Sequence, residues 1–196
     1  PVLERTARVL FDAGVVVRAH RDAGVPETVE RRSAAGVELS ASARSVAAVI
    51  NEGNYPRWYA ALPRLVVSET RDWSTVADWA ARLYPAPGPL PEDLERRLLE
   101  WKALPDTSTR VAAALRAVQD EVRYFGIELG DNTHKPAEPA ETWNRRYGDC
   151  KDKARLLSTV LGRLGVTATP ALVSYATGRR IGDLPPSAAA FDHVIV

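Results

Sequence analysis

The sequence predicts an α+β fold, and three observations carry the prediction. Short β-branched runs punctuated by turn residues extend to about Thr70; from Asp72 the apolar period lengthens to three and four residues; after Gly165 short strand-like runs return. A β-rich beginning, a helical middle and a second mixed segment follow from this pattern.

In the β-rich beginning, Val15-Val16-Val17 and Leu65-Val66-Val67 read as strands, separated by the turn formers Asp22-Ala23-Gly24 and Ala35-Gly36. Val37 and Leu39 alternate with Glu38 and Ser40, as in a half-buried strand. Leu3 to Ala13 accommodates a helix as well as a strand. Pro56-Arg57-Trp58-Tyr59 and Pro63 mark an irregular connection.

The first helix places Trp73, Val76, Ala80 and Leu83 on one face, with Asp72 or Ser74 as its cap. It must stop at Tyr84, because Pro85, Pro87, Pro89 and Pro91 follow and proline cannot continue the ladder. A second helix spans Glu92 to Leu104. A third starts near Ser108 with Val111, Leu115, Val118 and Val122 on its buried face, and ends before Gly126. Gly126 to Tyr147, with Pro136 and Pro139, reads as a long ordered loop. A fourth helix opens at Asp149 or Cys150, carries Leu156, Leu157, Val160, Leu161 and Leu164, and stops at Gly165. Val166 to Tyr175 is expected as a strand, Ala176 to Ala190 as a flexible loop, and Phe191 to Val196 as a strand cut off in mid-course. A chain that opens on Pro1 and contains no methionine is expected to be an excised piece, truncated at both ends.

Composition bounds the function. With 45% hydrophobic residues in 196, a packed core is expected, enough for one large domain or one and a half small ones. The 26 basic and 25 acidic side chains argue against a broad nucleic-acid or anionic-membrane footprint, which needs clustered excess positive charge. No run approaches the ~18 apolar residues of a membrane helix, and no signal segment opens the chain. A single cysteine excludes an intramolecular disulfide framework and any zinc site built on paired thiolates. No metal constellation is visible, and no cofactor is expected.

That cysteine lies in Tyr147-Gly148-Asp149-Cys150-Lys151-Asp152-Lys153-Ala154. With Asp149 as N-cap, Cys150 takes the first helical position, where unpaired backbone N–H groups and the macrodipole favour an anion. Lys151 and Lys153 add positive charge there, and Asp149 and Asp152 oppose it. Gly148 lets a backbone or substrate approach closely. The alternative is a buried, inert cysteine, the ordinary fate of a lone one; the polar surroundings argue against deep burial.

A nucleophilic thiol needs a base, and His20, His134 and His193 are the histidines of the sequence. His193 shares a strand face with Phe191 and Ile195 and so projects toward packed material. It is either a satisfied core histidine or the partner of Cys150. A helix-start cysteine, a strand, a loop and a strand histidine form an order that lets helix and sheet bring the two together. Asp192, on the opposite face, cannot orient His193. His134 is the rival base in a loop, and His20 is expected at the surface of the β-rich beginning.

The runs Val122-Arg123-Tyr124-Phe125-Gly126-Ile127-Glu128-Leu129-Gly130, Lys135-Pro136, Arg145-Arg146-Tyr147-Gly148-Asp149-Cys150-Lys151-Asp152-Lys153-Ala154 and Phe191-Asp192-His193-Val194-Ile195-Val196 resemble the bacterial branch of the transglutaminase-like superfamily. Trp58-Tyr59, Pro63-Arg64-Leu65, Ser68 and Asp72-Trp73 resemble the end of the β-rich domain of unknown function that often precedes this core. The resemblance implies a papain-like core over 106–196 with its C-terminal strands missing. Residues 1–70 would be the end of the β-rich domain, and 71–105 a helical connection. It implies Cys150 as nucleophile and His193 as general base and acid. The aspartate that completes the superfamily's triad lies on the next strand, beyond Val196.

The chemistry implied is attack of the Cys150 thiolate on a carboxamide or peptide carbonyl, with backbone N–H groups holding the oxyanion and a thioester left on sulfur. Tyr147 and Trp143 are candidates to help hold the oxyanion or line an acyl channel, against the alternative of aromatic packing under a loop. A protein or peptide substrate and a periplasmic or cell-envelope location are what the resemblance suggests; calcium dependence is a property of some relatives. The competing expectation is a catalytically inactive transglutaminase-like module that binds protein in the cell envelope, since fold does not determine function.

Overall fold

A computed structural model of the chain describes residues 2–50, 53–56, 58–126 and 133–196. Of the positions singled out above, Pro1, Arg57, Ile127, Glu128, Leu129 and Gly130 lie outside the described residues. The protein is a mixed α+β structure of helices and small, mostly antiparallel sheets. It divides into two compact units, Pro1–Ala77 with Ser174–Phe191, and Asp78–Val173 with Asp192–Val196.

In the first unit, β1 (Val2–Phe11), β4 (Gly36–Val46) and β3 (Thr28–Ser33) form an antiparallel sheet in the order β1-β4-β3. Leu3 to Phe11 is therefore extended, within a strand paired from Val2 opposite Val46 to Phe11 opposite Val37, and Ala13 lies in the turn that follows. Its side chains are mostly exposed, so no buried stripe exists to favour a helix, and the long partner strand supplies its hydrogen bonds. Val37, Leu39 and Ala41 alternate into the core of this unit as expected. Gly36 opens β4 at φ +144°, and a Cβ there would lie 2.2 Å from the Phe11 carbonyl oxygen, so only glycine fits the turn.

β2 (Arg18–Arg21) pairs with β5 (Leu65–Ser68). The expected strand at Val15-Val16-Val17 is a connection instead, because β5 pairs in register only from Arg18 onward. Asp22 closes the end of this ribbon. Its carboxylate accepts from the Arg64 backbone N–H at 3.0 Å and the Arg64 Nε at 2.9 Å, and lies 3.1 Å from His20 Nε2. His20 is thus half-buried and tethered rather than a free surface residue. The segment expected as a flexible loop, Ala176 to Ala190, contains 3-10 turns at Gly178–Asp183 and Ala188–Ala190, and the Ser68 hydroxyl donates to the Pro186 carbonyl at 2.5 Å.

Helix α1 (Trp73–Leu83) starts where Asp72 accepts from the Thr75 N–H at 2.8 Å, and the Ser74 hydroxyl chiefly, with the Thr75 N–H and hydroxyl, holds that carboxyl well below its usual range. In the second unit, α2 (Glu92–Lys102) follows Pro91, and α3 (Thr107–Glu121) is capped by Asp106, which accepts from Thr109 N–H at 2.8 Å. The buried face of α3 is Ala114, Ala117 and Val118, with Leu115 36% exposed. The small alanines, not the expected Leu115, face inward because they let neighbouring helices approach. α4 (Pro139–Arg145) replaces part of the expected loop; Pro139 sits at the start of a helix, where its missing N–H is no loss. α5 (Cys150–Arg163) runs as expected, and β8 (Ala171–Val173) pairs with β9 (His193–Ile195). Leu94, Leu98, Ala114, Val118, Val122, Trp143, Leu156 and Val160 form the helical core.

The Asp22 cluster makes stability depend on acid. Arg64 chiefly, with His20, lowers the Asp22 carboxyl to about 2, below its unfolded value of about 3.9. The stabilisation is complete above the unfolded value and is lost as pH falls through about 2. Asp22→Asn is expected to cost about 1–2 kcal/mol in urea unfolding at pH 7, with the difference from the parent shrinking between pH 4 and 2.5. A difference that does not shrink would assign the cost to packing.

Candidate active site at the head of helix α5

Cys150 is the first residue of α5, and Asp149 is its N-cap. The Asp149 carboxylate accepts from the backbone N–H groups of Lys151 at 3.2 Å and Asp152 at 3.3 Å, while Asp152 accepts back from Asp149 N–H at 3.4 Å. This is a capping box with aspartate in place of the usual glutamate.

The turn is buried, contrary to the reading of its charges as signs of exposure. Cys150 is 9% exposed, Asp149 and Lys151 3%, Asp152 6% and Arg155 4%. Burial is tolerable because the charges are paired. Lys151 Nζ binds Asp149. Asp152 takes Arg145 Nη2 at 2.5 Å and the Ala137 N–H at 2.8 Å. Arg155 donates to the carbonyls of Pro136, Ala137 and Pro85 and to Glu138 at 2.8 Å. Lys153 reaches the Val122 carbonyl, and burial lowers its pKa. Neither lysine is therefore the loose cation beside the sulfur that the sequence suggested.

Gly148 precedes the cap. A Cβ there would lie 2.8 Å from Asp152 Cβ and 3.1 Å from Thr142 Cγ2, so the capping aspartate occupies the space a side chain would need. β7 (Tyr147–Gly148) pairs in parallel with β6 (Arg123–Tyr124), and Phe125 N–H donates to Gly148 O at 2.9 Å. Tyr147 is exposed, edge-on to Phe125 with centroids 5.8 Å apart, and the Arg145 guanidinium lies 4.8 Å from its ring.

Trp143 is not available to an oxyanion. It is fully buried, its Nε1–H donates to Asp93 at 2.8 Å, and the Arg146 guanidinium stacks 3.9 Å from its ring. Arg146 ends α4 in the left-handed region, φ 57°, an unfavourable conformation for a side-chain-bearing residue. Its bonds to Asp93 at 3.1 Å and Glu121 at 3.0 Å hold it there.

His193 is the first residue of β9 and is half-buried. The strand packs on α5 through Val194, which lies in one buried cluster with Cys150 and Ala154, flanked by Leu172 and Tyr84. The packed face is thus that of Val194, opposite Leu172 in the β8 pairing; Ile195, expected on that face with His193, is exposed. His134 is exposed, edge-on to Trp79 at 5.1 Å. Tyr84, which the sequence presented only as the residue before a proline run, packs against the Cys150 cluster. Its phenol is pushed up chiefly by burial, and further by its electrostatic interaction with Cys150 and the carboxylates of Asp149 and Asp152.

Among the described residues, no three His, Cys, Asp or Glu side chains gather as a metal site needs, and no helix is long and apolar enough to cross a membrane. The fold is similar to that of a crystal structure from Parabacteroides distasonis described as "a putative protease", with a TM-score of 0.79 at 15% identity over 98% of this chain. The chain spans 37% of that protein, and at this identity the likeness is one of fold alone. No family model matches the chain, and no curated protein matches it in sequence.

The buried Asp149–Lys151 pair yields a stability test. Asp149→Asn keeps a capping oxygen but strands the Lys151 ammonium, and is expected to cost about 3 kcal/mol in urea unfolding. Adding Lys151→Met is expected to recover most of that loss. A double variant as unstable as the single would remove the unpaired charge as the cause.

Proposed function

We propose that this chain carries the centre of a cysteine enzyme acting on carboxamide or peptide bonds, with Cys150 as nucleophile and His193 as general base and acid, after the manner of the papain-like, transglutaminase-like proteins its motifs resemble. The observation that carries the reading is the start of α5: Cys150 takes the first helical position behind the Asp149 cap, and β9, the strand on which His193 stands, packs on that same helix. A fold shared with the structure described as "a putative protease" is in keeping with hydrolysis of peptide bonds.

The chemistry begins with thiolate formation. The positive end of the macrodipole at the helix start favours the anion. His193 takes the thiol proton, the sulfur lone pair forms the C–S bond, and the carbonyl oxygen gathers negative charge against backbone N–H groups, that of Cys150 among them. Collapse breaks the C–N bond, the imidazolium proton leaves with the amine, and a thioester remains. Water resolves it in a hydrolase and a primary amine in a transamidase. The burial of Cys150 favours a second reading, a protein-binding module whose cysteine only fills the patch under β9.

Iodoacetamide labelling separates the two. An enzyme's Cys150 reacts below neutral pH faster than a model thiol, and His193→Ala returns its profile toward the ordinary thiol value of about 8.5. Slow labelling, the same in both proteins, supports the binding module. With a glutamine-containing protein and a fluorescent primary amine, amine incorporation marks a transamidase and new peptide termini mark a protease.

A further inference from the structure

A thiolate buried beside carboxylates needs donors, because burial and like charge both favour the neutral thiol. Ionisable groups at this turn and on the elements packed against it include Asp149, Lys151 and Asp152 of the turn itself, Arg155 one turn on, Arg145 of α4 through its bond to Asp152, and Tyr84 from the segment after α1, while β9 carries His193. The carboxylates can only accept, and both are engaged, Asp149 by Lys151 and Asp152 by Arg145. Those two cations are committed to these carboxylates, and Arg155 to carbonyl oxygens and Glu138.

Tyr84 differs from all of them. It is half-buried, it packs against the Cys150, Ala154 and Val194 cluster, and its hydroxyl lies within electrostatic reach of Cys150. Burial and the three negative neighbours push its ionisation up, so it keeps its proton and remains a donor across the working range.

Building on the reading of Cys150 as nucleophile, we propose that Tyr84 is a further catalytic residue of this site, its hydroxyl donating a hydrogen bond to the Cys150 sulfur when that sulfur is anionic. No proton is transferred by this bond. The proton stays on the phenol oxygen while the sulfur lone pair goes to the acyl carbon, and the bond weakens as sulfur becomes a neutral thioester. The donor stabilises the thiolate against the burial and the carboxylates that oppose it.

Tyr84→Phe removes the hydroxyl and keeps the ring. Because the chain has one cysteine, the ultraviolet absorbance of the thiolate reports Cys150 alone. The Phe variant is expected to titrate about one pH unit higher, a tenfold change in acidity. Iodoacetamide labelling below that range should slow only about threefold, since a more basic thiolate is also more nucleophilic. A change confined to packing would lower thermal stability without moving the titration. Should Tyr84→Phe lose the fold, Tyr84→Gln and Tyr84→Leu give the same comparison of donor with no donor, and equal titrations in that pair overturn the proposal. An acid-shifted Cys150 in the parent with an unmoved titration in Tyr84→Phe also overturns it while leaving the nucleophile intact. A parent cysteine that behaves as an ordinary thiol defeats the nucleophile itself, and the Tyr84 proposal with it.

Discussion

The head of α5 depends on one arrangement: a carboxylate that caps a helix and neutralises a buried ammonium at once. Asp149 accepts two backbone N–H groups and binds Lys151, both residues all but out of water. An uncapped helix start would leave N–H groups unsatisfied in the core, and an unpaired lysine there would be worse. Asp152 repeats the device, joining its own turn to Arg145 of α4 and to the Ala137 backbone. Gly148 follows from the same geometry, because Asp152 fills the volume of its missing side chain.

These pairs reach into the rest of the second unit. Arg145 comes from α4, whose end is held by Arg146 between the Trp143 ring, Asp93 of α2 and Glu121 of α3. Asp93 in turn accepts from the Trp143 indole, and its carboxyl is lowered chiefly by that bond. Helices α2, α3 and α4 thus meet at one aromatic ring and its charged rim, with Arg97 and Glu121 joined beside it. The strained φ of Arg146 persists because three partners hold the side chain, and it turns the chain into β7 and so toward Cys150.

Electrostatically, the sulfur sits in a contested place. The helix macrodipole favours an anion, while burial and Asp149 and Asp152 oppose one, the two carboxylates being offset by Lys151 and Arg145. Under the proposed function the balance turns on a neutral donor, the phenol of Tyr84, more than on the lysines conspicuous in the sequence, because both of those are committed to other oxygens.

What the sequence determined by itself was local. Asp72, Asp106 and Asp149 start helices through bonds to residues two or three positions on, so those helices and the placing of Cys150 at a helix start were legible without the fold. Val37, Leu39 and the ends of the proline-terminated α1 were legible for the same reason. The tertiary structure decided whatever rests on distant partners. Pro139 begins a helix because its neighbours pack there, β1 is a strand because β4 lies beside it, and Ala114 displaces Leu115 from the core because helices come close. Burial of Lys151 needs Asp149 and the walls around both. Tyr84 packs against the cluster that holds Cys150 across more than sixty intervening residues, a placement no spacing rule encodes, because it is made by tertiary packing around the head of α5 rather than by the periodicity of any one element.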